Sequence, residues 1–195
     1  MKPAQAKLGE VAEVLLGITL RGSDASRHDP DGSHHLIRIS EVTEDGDLRI
    51  GAPNLIRVDE SAAVRYELRD GEVLLAARGT RMTAAIFQGP QAAVAGGQFC
   101  VIRAHTGWLL PEYLRWFLNL PSTQENLNSR ARGTYIRSLP VKALLDLEIP
   151  LPPIPRQRVI ADLYELRLHE KHLMAKLAEL RGALFDRTIV HSLQA

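Results

Sequence analysis

The sequence predicts an α+β protein: a mainly β domain with a few helices, followed by a long C-terminal helix of coiled-coil type. Three observations carry this. Between residues 11 and 103 the apolar residues come in brief runs bounded by Gly, Asp or Pro, which is the pattern of short strands. From Pro111 the apolar spacing becomes helical. After Pro155 a proline-free, leucine-rich stretch repeats in steps of four and three. Two parts and a tail follow: residues 1–152 as the domain, 153–188 as the helix and 189–195 as the tail.

The first strands are expected at residues 11–16, 35–39, 47–50 and 54–58, with Glu44-Asp-Gly-Asp47 as a hairpin-type turn between two of them. Residues 73–77, 84–87 and 98–103 continue the pattern, and Gly96-Gly97 marks a bulge or sharp bend. Pro111 opens a helix carrying Tyr113, Leu114, Phe117 and Leu118, and Ser122 caps a second one reaching about residue 129.

The stretch LEIPLPPIPRQ, residues 147–157, is a stiff joint. Proline fixes its own φ and biases the preceding residue towards extended backbone, so Pro150, Pro152 and Pro153 end a strand and hold the chain straight. Pro155 differs, because at the first helical position its missing N–H costs nothing. In the helix that follows, Val159, Leu163, Leu166, Glu170, Leu173, Leu177, Leu180 and Leu184 form a heptad seam in which Glu170 alone is not apolar. So narrow a seam calls for a partner helix. The alternative is a helix lying back over its own domain.

A net charge of +1 reveals little about partners, but its distribution reveals more. From Val73 to Pro111 there is no Asp or Glu, while Arg78, Arg81 and Arg103 are present; residues 128–142 also lack acids and contain Arg130, Arg132, Arg137 and Lys142. Folded onto one face, these segments would make a site for a polyanion. Otherwise they are scattered surface arginines. The loops after the strand at Gly79 and around Gly133 therefore supply the candidate DNA contacts: Arg78, Thr80, Arg81, Arg130, Arg132, Thr134, Tyr135, Arg137 and Lys142.

Other classes find less support. No window is apolar enough for a membrane helix, the N-terminus lacks a signal-type apolar stretch, and the single Cys100 excludes an internal disulfide, so a cytoplasmic protein is expected. Asp29-Pro-Asp-Gly-Ser-His-His35 lacks the ligand alternation of a calcium loop and reads as a polar turn. His169 and His172 stand three apart, not the four of a zinc-protease helix. No phosphate loop, methyltransferase tetrapeptide or nuclease cluster is found, so no catalysis, no cofactor and no metal are expected, and Cys100 is expected in the core.

Several segments, in order, resemble the specificity (S) subunits of type I restriction-modification enzymes: LGEVA (residues 8–12) as the opening strand, LIRIS (36–40), LRDGEVLLAARGT (68–80), AVAGGQF (93–99), LPEYL (110–114), GTYIRSL (133–139) and IPLPPIPRQ (149–157). The resemblance spans nearly the whole chain, and the proline joint followed by a heptad helix is its most specific part. It implies a target recognition domain that reads one half of a split site in double-stranded DNA. It further implies a helix pairing antiparallel with a second such helix, and docking to DNA methyltransferase subunits, with a motor-nuclease subunit as a further partner. S subunits carry two such units in tandem; this chain carries one, so a homodimer or a pairing with another half is expected. A stand-alone DNA-binding or anti-restriction module is the alternative, and an enzyme with an unrecognised site a more distant one.

Overall fold

The computed structural model describes residues 4–20, 28–52, 54–79, 81–89, 92–133 and 137–192. By contacts it divides into residues 1–158 and 159–195.

The first unit is α+β. The chain enters through strand β1 (Gln5–Lys7), a single helical turn α1 (Leu8–Val11) and β2 (Ala12–Leu16). The LGEVA segment is thus mostly a helical turn between two strands, not itself the opening strand. Strand β3 (His34–Ile37) is followed by a 3-10 turn at Ile39–Glu41, then by β4 (Leu55–Ile56) and helix α2 (Glu60–Tyr66). Strands β5 (Val73–Ala76), β6 (Ala84–Ile86), β7 (Ala93–Ala95) and β8 (Phe99–Ala104) lead into α3 (Pro111–Leu118), α4 (Pro121–Arg130), α5 (Val141–Leu145) and β9 (Glu148–Pro150). No strand forms at residues 47–50; Leu48 makes only an isolated bridge to Val42, closing the expected turn, where Gly46 adopts φ +79°.

The described strands form three sheets: an antiparallel β2-β8-β5-β6 sheet, a mixed β4-β3-β7 sheet with β3 and β7 parallel, and the β1-β9 pair. β3 and β7 are buried at every position, because successive side chains alternate between two covered faces. Ile37, Ala93 and Ala95 point into a core shared with Leu74, Ala76, Phe87, Phe99 and Val101. Leu36 and Val94, on the other face, pack with Ile18 and Ile56. Covered on both faces, the small sheet has no polar side to show.

α4 starts two residues earlier than a Ser122 cap requires: Leu120 is the cap residue and Pro121 opens the helix, so Ser122 is already helical. The HH pair of the 29–35 stretch is not a surface turn either, since His34 and His35 are 8% and 3% exposed within β3. His35 Nε2 lies 3.4 Å from Glu41 Oε1. Cys100 is fully buried as expected, and desolvation pushes its thiol up to about 11.

At the proline joint a strand ends and a helix begins, with Pro155 at the second helical position and not the first. Pro150 is the last residue of β9, and α6 (Ile154–Ser192) begins at Ile154, one residue before Pro155. Gln157, on the first turns of α6 and fully buried, holds this end of the helix. Its Oε1 accepts from Leu110 N–H at 2.9 Å, and its Nε2 donates to the carbonyls of Trp108 and Pro152, both at 2.9 Å. Tyr113 adds a hydroxyl bond to the Pro150 carbonyl at 2.9 Å.

α6 has 39 residues, a rod of about 58 Å at 1.5 Å per residue. Its helical backbone continues through residues 189–192. In the second unit the seam residues Leu163, Leu166, Leu173, Leu177, Leu180 and Leu184, with Val159, are 43–67% exposed, and Glu170 is exposed among them.

Candidate nucleic-acid interface

The two basic segments are far apart in sequence and close in space. Beyond β5 the Ala77 carbonyl accepts from Leu139 N–H at 2.8 Å, and Gly79 N–H donates to the Arg137 carbonyl at 3.0 Å. Ser138 forms bridges with both Arg78 and Arg132, exchanging two bonds of 2.9 and 2.8 Å with the latter. The backbones of Arg132, Ser138 and Arg78 are therefore three adjacent rungs. Glycine makes this possible at both loops: Gly79 and Gly133 adopt φ of +121° and +107°, which other residues adopt only with strain.

Backbone pairing does not make the cations equivalent. Arg78, Arg132 and Arg137 are exposed, and among the described residues none of the three makes a side-chain ion pair. Arg81 is exposed but pairs with Glu44. Arg130 is half-buried, its guanidinium on the carbonyls of Ala143 and Asp146 at 3.3 and 3.5 Å at the end of α5. Lys142 is exposed on α5. Arg103 is internally neutralised by the buried Glu72 and also bonds the Glu67 carbonyl at 3.3 Å. Thr80, Thr134 and Tyr135 lie outside the described residues.

Arg78 stands between two hollows. One, of about 300 Å³, is lined by Ile39, Thr43, Glu44, Arg78, Arg81 and Gln98. The other, of about 410 Å³, runs past Thr19, Arg38, Ser40, Arg78, Gly97 and Gln98. Gln98 and Arg38 are not among the sequence-predicted candidates, which come from the loops at Gly79 and Gly133. The Gly96-Gly97 bend was the available signal, because a polar residue at the tip of such a bend has nothing of its own sheet to bond.

Chemically this surface offers guanidinium and amide donors. Among the described residues no three metal-ligating side chains come together, and no helix is long and apolar enough to cross a membrane.

Residues 4–165 match the type I restriction modification DNA specificity domain, and the chain belongs to that family. The resemblance to S subunits read from the sequence is thus a family relationship. Solved structures agree on the fold. A structure described as the basis of complex assembly and conformational transition of the type I R-M system superimposes with a TM-score of 0.62 at 17% identity, over 89% of this chain and 40% of that one. The HsdS subunit from Thermoanaerobacter tengcongensis gives 0.58 at 17% identity, over 87% and 38%. The type I restriction-modification S subunit from M. genitalium gives 0.56 at 17% identity, over 90% and 41%. The chain spans about two fifths of the length of these structures. No curated protein matches it in sequence.

Proposed function

We propose that this chain is a DNA-reading specificity unit of a type I restriction-modification complex, non-catalytic itself, which recognises one half of a bipartite site and docks methyltransferase subunits. One observation carries the DNA-reading part: the joining of the two acid-free segments through Gly79, Ser138 and Arg137, which gathers Arg78, Arg132 and Arg137 around one set of backbone bonds. Exposed cations suit phosphates, and guanidinium forks also suit base edges. Lys142 and Arg81 belong to the wider candidate set, with Thr80, Thr134, Tyr135 and Arg130.

The bipartite part is supported by the helix. An apolar seam left open over seven positions favours a second helix of the same kind, and two copies paired antiparallel would hold two reading domains at opposite ends of a rod.

The test is duplex binding across a salt series. Wild type is expected to bind with a steep dependence of affinity on salt, because each neutralised phosphate releases counterions. Arg132→Ala with Arg137→Ala should weaken binding to all sequences and reduce the slope of log K against log salt by roughly one per lost phosphate contact. Unchanged affinity and slope would remove these loops from the interface.

A further inference from the structure

We propose that Gln98 is a base-reading residue of this surface, and that the base it selects is adenine; the inference rests on the DNA-reading function above. Four observations converge on it. Gln98 is exposed, and its side chain bonds no described residue. It lines both hollows that flank Arg78, together with Arg78 itself. Its own carbonyl is tied to Ala77 N–H at 2.8 Å, one residue before Arg78, so the two side chains leave the same short stretch of frame.

The turn beneath it is rigid. Phe99 N–H closes it on the Gly96 carbonyl at 3.0 Å, and the neighbouring segment is bonded alongside through Ile18 N–H to Ala95 and Gly17 N–H to Phe99, at 2.8 and 3.0 Å. A Cβ on Gly17 would meet the Gly96 carbonyl oxygen at 2.2 Å, and one on Gly97 the Thr19 hydroxyl at 3.0 Å. Backbones packed this closely leave the turn no room to shift.

A carboxamide on a fixed frame has a donor and an acceptor side by side. That pair matches the N7 acceptor and N6 donor of adenine in the major groove, which a guanidinium, having donors only, cannot satisfy. A phosphate contact would not need the acceptor.

The experiment is selection of binding sites from a randomised duplex pool by the full chain, by Gln98→Ala and by Gln98→Glu, with sequencing of the bound fraction. Wild type should enrich a motif with adenine at one position. Gln98→Ala should lose the choice at that position alone, with discrimination falling roughly five- to 150-fold. Gln98→Glu should shift the selected base to cytosine, whose N4 amine a carboxylate accepts, a gain of specificity that misfolding cannot imitate. If both variants select the wild-type motif, or lose affinity equally for every sequence, Gln98 reads no base while the DNA-reading function stands. If wild type enriches nothing, that function falls and this inference with it.

Discussion

Arg130 and Arg132 are two residues apart and have opposite surroundings. The Arg130 guanidinium caps carbonyls at the end of α5, so Arg130→Ala should lower folding stability by about 0.5–1.5 kcal/mol in a denaturant titration. The Arg132→Ala variant, at an exposed side chain, should stay within about 0.5 kcal/mol of wild type. Charge counting could not separate them, because the acceptors of Arg130 are backbone carbonyls thirteen and sixteen residues away that only the folded chain presents. Arg103 repeats the lesson: its segment lacks acids in sequence, yet Glu72, just before that segment begins, reaches it across the sheet. Cys100 was legible, because a lone cysteine in an apolar run is ordinarily core. With its thiol pushed up to about 11, it should stay unlabelled by a thiol reagent at pH 8 and react fully once the protein is unfolded. Between the ordinary thiol value of 9.0 and about 11 the unfolded chain releases this proton and the folded one keeps it, so this group's contribution makes stability fall as pH rises through that window. Substantial labelling of the native protein at pH 8 would contradict the burial.

At the scale of elements, long periodic signals were readable and short ones were not. The heptad helix, the Pro111 helix and the central strands all appear where their patterns place them. Strand β7 is three small residues whose strand character comes from parallel pairing with β3, an interaction no local pattern announces. Helix α2 did carry a readable signal, since Asp59 accepts from Ala62 N–H at 2.9 Å in an ordinary N-cap. Gln157 ties the start of α6 to the domain through three bonds. Replacing the fully buried Gln157 with leucine removes its bonds to Leu110, Trp108 and Pro152, and should cost about 1–3 kcal/mol, read as a lower Tm. In the proposed antiparallel pairing the seam midpoint falls between Lys171 and His172, which sets Glu170 opposite Leu173 of the other copy. A carboxylate in an apolar seam costs stability and specifies register. Glu170→Leu should therefore raise Tm while loosening the choice of orientation, and Leu173→Glu should yield folded monomers by mass in solution. A dimeric Leu173→Glu would place the association elsewhere.

For the whole molecule, the proposed pairing would join two reading surfaces through one helical seam. Residues 1–158 form a domain with apolar cores among its described residues and its own basic surface, and the helix beyond leaves Val159 and the seam leucines exposed. In the proposed pairing, a second copy would cover the seam and supply a second reading surface. Two-fold symmetry then dictates what such a pair can recognise, because identical domains related by a dyad read identical words on opposite strands. The measurement that bears on this most directly is the methylome of a host carrying this gene with its modification subunit. The account predicts a methylated motif made of two inverted repeats separated by a spacer of fixed length and free sequence. A contiguous motif, or two unrelated half-sites, would contradict it.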